Sequence, residues 1–149
     1  MLRRVVKRVR SGQYQLRLSA DERDVLRSLP EQLSEMLAED DPALRRLFPP
    51  AYLDDPEAET EYHRLMREDL VEHHRAALDI MAATIDADQL DEDQLTAWMG
   101  AINDLRLVLG TKLDVSEDEL RLETPADHLY HYLGYLMEEI VVALSSRYE

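Results

Sequence analysis

The stretch from Trp98 to Leu113, WMGAINDLRLVLGTKL, decides the fold, because its apolar side chains recur at intervals of three and four residues. This period is typical of an amphipathic α-helix. The stripe continues one turn back to Leu95, and a helix with so broad an apolar face must pack against other helices. The stretch therefore predicts one member of a helical bundle.

The segments on either side show the same helical period. A helix is predicted to open at the capping box that begins with Ser19 and to run to about Glu39, with a kink or break at Pro30. A second long helix follows Pro56, and a last one begins with Thr124 as its N-cap. The chain is thus predicted to be mainly α, a four-to-five-helix bundle.

The first eighteen residues have a different pattern, with period two. Val5 to Val9 is rich in β-branched residues, Ser11-Gly12 is a turn signal, and Tyr14, Leu16 and Leu18 alternate with polar residues. We predict a short N-terminal β-hairpin, which must pack on the helices or pair with another chain because a lone hairpin is marginal in water. The whole chain, 1–149, is predicted to be one domain, with a basic hairpin (1–18) and an acidic bundle (19–149).

Charge is distributed unevenly between these two parts. Six of the 17 basic residues and no acidic residue lie in residues 1–18, which leaves 11 basic against 32 acidic residues in the rest. An acidic body repels phosphate, so general nucleic-acid binding is disfavoured. Contact with DNA or an acidic protein is predicted only through the basic hairpin; alternatively, its side chains dock on the chain's own acidic body or are solvated. The candidate side chains are Arg3, Arg4, Lys7, Arg8, Arg10 and Arg17.

The chain lacks the residues that are characteristic of several classes of enzyme and redox protein. The chain has no cysteine, which excludes disulfides and thiol chemistry within it, and only four glycines, none clustered into a phosphate loop. No Gly-x-Ser-x-Gly turn is present. We predict no catalytic residue and no cofactor, and hence a non-enzyme. No secretory signal or membrane-spanning segment is apparent, which predicts a cytoplasmic protein without membrane contact.

Because histidines lie on the predicted helices, a bundle that binds a metal or another ligand is an alternative interpretation. The Glu-x-x-His pairs of carboxylate-bridged di-iron bundles are absent. His128-x-x-His131 has a spacing that suits a metal, and acidic residues near His73 are further ligand candidates. Since histidines beside an apolar stripe more often pack and form hydrogen bonds, no metal site is predicted. The alternative rests on His73, His74, His128 and His131.

Some single residues on the helices have two interpretations each. Arg106 shares a face with Ile102 and Leu109, so it is either partly buried against a carboxylate or extended to the surface. The aromatic residues form either a partner site or part of the core: Trp98, Tyr130, Tyr132 and Tyr135. Two glycines inside helices, Gly100 and Gly134, predict a close approach of neighbouring backbones.

The order of these features resembles an actinobacterial family of domains of unknown function that includes oxidative-stress transcriptional regulators (AosR-like). The resemblance covers essentially the whole chain and implies a cytoplasmic regulator that acts through the transcription machinery, with RNA polymerase or a sigma factor as partner. This chain has no cysteine and therefore cannot sense an oxidant through a thiol of its own. A redox response would need methionine, a partner or a metal. The segments that carry the resemblance are 8–14 (RVRSGQY), 41–49 (DPALRRLFP), 98–113 and 132–136 (YLGYL).

Three functional hypotheses follow. The leading one is a non-enzymatic regulatory protein that acts through protein–protein contacts, with the basic hairpin as its contact surface. The second is a structural or assembly module that forms a homodimer by strand pairing at the hairpin edge. The third is the metal- or ligand-binding bundle.

Overall fold

The computed structural model describes residues 4–39, 41–113 and 124–145. Within these ranges the chain is mainly α with a small N-terminal sheet, which confirms the predicted fold class. None of the helices described is long and apolar enough to cross a membrane. In chain order the elements are β1 (Val6–Arg10), β2 (Gln13–Leu16), α1 (Ala20–Arg27), α2 (Leu29–Glu39), a 3-10 turn (Pro42–Arg46), α3 (Pro56–Ala83), β3 (Gln89–Asp91), α4 (Glu92–Leu113) and α5 (Pro125–Ser145).

The helix starts follow the predicted capping signals. The Ser19 hydroxyl accepts a hydrogen bond from the Glu22 backbone, and the Glu22 carboxylate accepts one from the Ser19 backbone, at 3.1 and 3.0 Å. Helix α1 ends before Ser28, and Pro30 lies in the first turn of α2, where no N–H is needed for the helix. At α5, the Thr124 hydroxyl accepts from the Asp127 backbone at 3.1 Å. The predicted break and both caps are therefore confirmed.

The sheet has a third strand that the sequence did not predict. Strand β2 pairs with β1 on one side and with β3 on the other, both antiparallel, so the order is β1-β2-β3. The segment from Asp86 to Asp93 is rich in acidic residues, as a linker between helices would be, but Gln89–Asp91 lies beside β2, with Leu90 opposite Tyr14. Only Leu90 of this strand is buried, and so short an alternation between acidic residues gives no strand signal in the sequence.

Helix α4 is the centre of the core, because it packs against α3, α5 and the 3-10 turn. Trp98 and Ile102 of α4 are almost fully buried, as are Leu133 and Ile140 of α5. The indole N–H of Trp98 donates to the hydroxyl of Thr84, the residue that caps the C-terminus of α3, at 2.7 Å. The stretch that decides the fold is therefore also the element on which the other helices pack.

Two glycines of α4 lie in contrasting surroundings. A Cβ atom on Gly110 would lie 2.8 Å from Cε1 of Tyr130, so the tyrosine ring occupies the space that glycine leaves. A Cβ atom on Gly100 would meet nothing nearer than the Cβ of Ala77 at 4.0 Å, an ordinary contact. The expectation that Gly100 permits a close approach was therefore wrong, whereas Gly110 does permit one.

Alanine at these two positions should change stability in opposite directions. Gly100→Ala is expected to raise the free energy of unfolding by about 1 kcal/mol, because alanine favours the helix and meets no clash. Gly110→Ala is expected to lower it, since overpacking against the Tyr130 ring costs about 1–3 kcal/mol, which exceeds the helix gain. Urea unfolding of the two variants measures both values. Changes of the same sign would show that the close contact at Gly110 is unimportant.

Candidate partner-binding surface

The outward face of the sheet is polar and carries most of the exposed basic charge of the hairpin. The strand register places Lys7, Gln15 and Gln89 side by side across the three strands. The amide of Gln89 donates to the side chain of Gln13 at 3.1 Å, and Arg17 donates to Gln15 at 3.1 Å. We call this surface the outer sheet face; its members are Lys7, Arg10, Gln13, Gln15, Arg17, Gln89 and Asp91.

The opposite face of the sheet holds the small sheet on the bundle. Val6, Tyr14, Leu16 and Leu90 alternate with the polar residues and are buried. Because one face is apolar and buried, a slip of one residue in the register would expose these side chains. The outer sheet face is thus fixed in place by the core beneath it.

The six predicted contact residues have different surroundings. Arg3 lies outside the described residues. Arg4 is 3.5 Å from the carboxylate of Glu139, and Arg8 lies opposite Tyr14 on the inward-facing register, partly buried. Lys7 and Arg10 are exposed and make no ion pair within the part of the chain that the structure describes. The hairpin therefore both docks on the acidic body and presents basic side chains to solvent.

Two buried charged residues attach the hairpin to the bundle, and sequence reasoning identified neither. Glu139 of α5 accepts a hydrogen bond from the backbone N–H of Val5 at 2.9 Å and lies next to Arg4. Arg23 of α1 donates to the carbonyls of Ile85 and Ala87, both at 2.8 Å. The remaining acceptors of Arg23 are the carbonyls of Leu16 and Leu18 and the Asp88 carboxylate, each at 3.3 Å.

A second polar contact fixes α5 against α1 beside the sheet. The Tyr132 hydroxyl donates to the Glu22 carboxylate at 2.6 Å. Partial burial raises the pKa of Glu22, but hydrogen bonds from Tyr132 and Ser19 outweigh it and hold the pKa below its ordinary value of 4.5. Burial and the same hydrogen bond raise the pKa of Tyr132 above 10.0, so the hydroxyl stays protonated and donates. This contact therefore joins α5 to the first turn of α1.

Strand β1 is one of the two edges of the described sheet, and β3 is the other. The pairing of β1 with β2 shifts between Arg8 and Arg10, where Val9 is the extra residue of a bulge and is 47% exposed. Bulges interrupt the regular ladder that a second strand needs. The homodimer by strand pairing at this edge stays a prediction.

The four histidines of the alternative hypothesis lie on two helices that α4 separates. His73 and His74 are on α3, His128 and His131 on α5, and α4 packs between these helices. His74 is bound instead to Asp104 of α4, at 2.6 Å between Nδ1 and Oδ2. Within the described residues, no group of three or more His, Asp or Glu side chains is placed to hold a metal ion.

The buried His74 pair joins three elements of the core. The hydrogen bond to Asp104 outweighs burial and raises the pKa of His74 above its ordinary value of 6.5, with help from the Leu47 carbonyl at the end of the 3-10 turn. The Phe48 ring meets the imidazole edge-on at 5.7 Å. These contacts assign His74 a packing role and favour the core interpretation over a metal ligand.

The aromatic residues do not form one exposed surface. Trp98 and Tyr130 are buried, Tyr132 is partly buried, and Tyr135 is 41% exposed. Core packing therefore explains most of this set. Arg106 lies with its guanidinium carbon 4.7 Å from the Tyr130 ring centroid, and no carboxylate of the described residues pairs with it. Arg106 is partly buried, as one of its two interpretations predicted, and the carboxylate partner stays a prediction.

Curated proteins similar to this chain are mycobacterial. The chain is 32% identical to the "Putative oxidative stress regulator AosR" of Mycobacterium leprae over 129 residues, which covers 70% of this chain and 59% of that protein. It is 30% identical to the "Oxidative stress regulator AosR" of Mycobacterium tuberculosis, with 70% and 58% covered. The chain therefore spans less than two thirds of the length of these relatives. No solved structure matches it.

A family model covers nearly the whole chain. Its match extends over residues 3–144, from the basic hairpin to the last turn of α5. The resemblance inferred from the four sequence segments is thereby confirmed. The chain belongs to the family described as "Domain of unknown function (DUF2017)".

Proposed function

We propose that this chain is a non-enzymatic regulatory protein of the cytoplasm that binds an acidic protein partner through its outer sheet face. The observation that carries the proposal is a polar sheet face with exposed Lys7 and Arg10 and partly buried Arg17, held by buried contacts. In a chain of net charge -15, a fixed basic surface of this kind favours oriented docking.

A protein partner is favoured over DNA by the charge of the remaining surface. Outside residues 1–18 the chain has 11 basic and 32 acidic residues, so a DNA duplex that reached the hairpin would also meet a repulsive body. Asp91 lies on the outer sheet face itself, opposite Gln13. A face that carries both basic and acidic groups complements the surface of a protein partner better than it complements a continuous phosphate backbone.

The relatives suggest which partner to test. Mycobacterial proteins similar to this chain are named oxidative stress regulators, which supports a regulatory role. We propose RNA polymerase or a sigma factor as the partner. Because the chain has no cysteine, sensing of an oxidant would occur on the partner or through methionine rather than through a thiol of this chain.

Charge reversal on the outer sheet face tests the proposal. Lys7→Glu/Arg10→Glu/Arg17→Glu is expected to reduce recovery of the partner by about 100-fold or more, since like charges would then face each other. The measurement is affinity capture of the tagged protein from cells of its own organism, with and without peroxide, followed by quantitative mass spectrometry. Unchanged helical circular dichroism shows that the variant folds.

A matched variant separates the surface from the net charge. Arg45→Glu/Arg64→Glu/Lys112→Glu changes the net charge by the same amount at exposed positions away from the sheet. This control is expected to keep the partner. Equal recovery with both variants and the wild type would overturn the assignment of the outer sheet face, and loss of the partner on nuclease treatment would indicate DNA instead.

A further inference from the structure

The outward face of helix α3 carries exposed apolar side chains in the N-terminal half of the helix. Leu65 is 59% exposed and Met66 is 36% exposed. Helical spacing places Tyr62 one turn before both of them on the same face. The face that packs on the bundle is the opposite one, since Arg67 donates a hydrogen bond to a carbonyl of α2 and Leu78 is fully buried. The exposed apolar side chains are therefore not part of the core.

The loop before α3 adds an aromatic ring to this face and an exposed leucine beside it. The Glu59 carboxylate accepts hydrogen bonds from the backbone N–H groups of Ala51 and Tyr52, at 2.8 and 3.0 Å, which attaches the loop to the helix. The Tyr52 ring meets the Tyr62 ring edge-on at 6.1 Å. Leu53, the next residue, is 82% exposed. We call this surface the α3 patch; its members are Tyr52, Leu53, Tyr62, Leu65 and Met66.

The α3 patch has an acidic rim. Glu68 and Asp69 lie one turn beyond Leu65, and Glu72 lies two turns beyond it, so helical spacing brings these carboxylates to the side of the apolar residues. The three are exposed and make no ion pair with any residue in the ranges 4–39, 41–113 and 124–145. Residues 51–72 include eight acidic and two basic residues. The surface is therefore apolar at its centre and negatively charged around it.

The negative charge decides which kind of partner the α3 patch fits. Nucleic-acid phosphates and anionic lipid headgroups are repelled. A second copy of the chain in a symmetric contact would bring the same acidic rim against itself. Residues 114–123, which lie outside the described ranges, have five acidic residues and one basic residue, so this segment also has the wrong charge to cover the patch. The complementary surface combines apolar with basic side chains.

We propose that the α3 patch binds a basic amphipathic helix of a partner protein, as a contact separate from the outer sheet face. Such a helix has apolar side chains on one face and lysine or arginine beside them. The residues from Tyr62 to Glu72 extend about 15 Å along α3, which matches nearly three turns of a partner helix. The apolar side chains of that helix cover Leu65 and Met66, and its basic side chains pair with the acidic rim.

Fluorescence anisotropy with a labelled model peptide and the full chain tests the proposal. The probe is a peptide of about 18 residues, with leucine at helical spacing and lysine and arginine at the other positions. A peptide of the same composition in scrambled order is expected to bind at least about 10-fold more weakly, because it has no apolar face. Glu68→Lys/Asp69→Lys/Glu72→Lys should weaken binding of the amphipathic peptide by about 100-fold, since like charges then meet. Leu65→Gln/Met66→Gln should weaken it by about 10-fold.

Matched variants separate the α3 patch from the net charge of the chain. Glu92→Lys/Asp93→Lys/Glu138→Lys changes the net charge by the same amount at exposed positions on α4 and α5. Val25→Gln/Val142→Gln removes exposed apolar side chains from α1 and α5. Both controls are expected to bind the amphipathic peptide as the wild type does, and unchanged circular dichroism shows that every variant folds. The triple reversal on the outer sheet face should not weaken this binding, so the two proposals can fail separately.

Three results would overturn the assignment of the α3 patch. The first is equal binding of the amphipathic and the scrambled peptide. The second is an equal loss of binding in the patch variants and their matched controls, which would indicate attraction by net charge alone. The third comes from sedimentation of the full chain: self-association that is lost both with the rim reversal and with the outer-face triple reversal. That result would assign the patch to the basic hairpin of a second copy.

Discussion

Replacing Arg23 with methionine is expected to lower the free energy of unfolding by about 3–5 kcal/mol, since the change leaves buried acceptors without a donor. The guanidinium group donates to four backbone carbonyls that belong to β2, the following loop and the segment between α3 and β3. Methionine fills a similar volume but donates nothing. Urea unfolding followed by circular dichroism measures the change.

Arg27 provides the matched control one turn further along α1. Its guanidinium group pairs with the carboxylate of Asp86 at 2.8 Å, but both side chains are largely exposed. Arg27→Met should therefore change stability far less than Arg23→Met, because water replaces the lost contact. Arg23 differs from Arg27 in that its hydrogen bonds are buried. If both variants lowered the free energy of unfolding by similar amounts, the account would be contradicted.

Replacing Asp104 with alanine is expected to cost about 3 kcal/mol below pH 6.5, where breaking a buried pair leaves the His74 imidazolium without its carboxylate. The pKa of His74 is raised in the folded protein, so the stability from its protonation is fully present below 6.5, the ordinary value. That stability is lost as the pH rises through the raised pKa. The loss caused by Asp104→Ala should therefore shrink on the alkaline side.

The measurement is a series of urea unfolding curves for the wild type and Asp104→Ala, from mildly acidic to alkaline pH. His73→Gln is the control, because His73 is the neighbouring residue on α3 but is exposed. Its effect should be small at every pH. A loss for Asp104→Ala that does not vary with pH would mean that His74 is neutral in the folded protein.

Local signals in the sequence predicted the helical part of the fold well. The capping boxes at Ser19 and Thr124, the break at Pro30 and the turn at Gly12 each depend on residues only a few positions apart. Their backbone consequences follow from sterics and hydrogen bonding within one turn. Gly12 indeed has a positive φ of 72°, as a glycine turn permits.

Contacts between distant residues were the part that the sequence did not reveal. Glu139 binds Val5 across 134 positions, and Arg23 binds Ile85 across 62. Nothing in the local pattern distinguishes these two charged residues from their many exposed neighbours. Strand β3 was missed for the same reason, because three residues acquire a strand conformation only by pairing with β2.

The candidate surface was predicted in part. The six basic residues of the hairpin were evident from composition, but their division into docked and exposed groups depends on Glu139 and on the strand register. Gln15 and Gln89 gave no signal in the sequence, and only the register places them beside Lys7. For Arg106, helical spacing predicted partial burial correctly, but its contact with the Tyr130 ring on α5 gave no signal in the local sequence.

Site-specific photocrosslinking in cells tests the central proposal, contact through the outer sheet face, most directly. A photoreactive amino acid replaces exposed Gln89 on that face, and in a second variant it replaces Ile80, which is 38% exposed on α3. The account predicts a crosslink from position 89 to RNA polymerase or a sigma factor, and none to these proteins from position 80. Crosslinks to the transcription machinery from position 80 alone, or none from position 89, would contradict it.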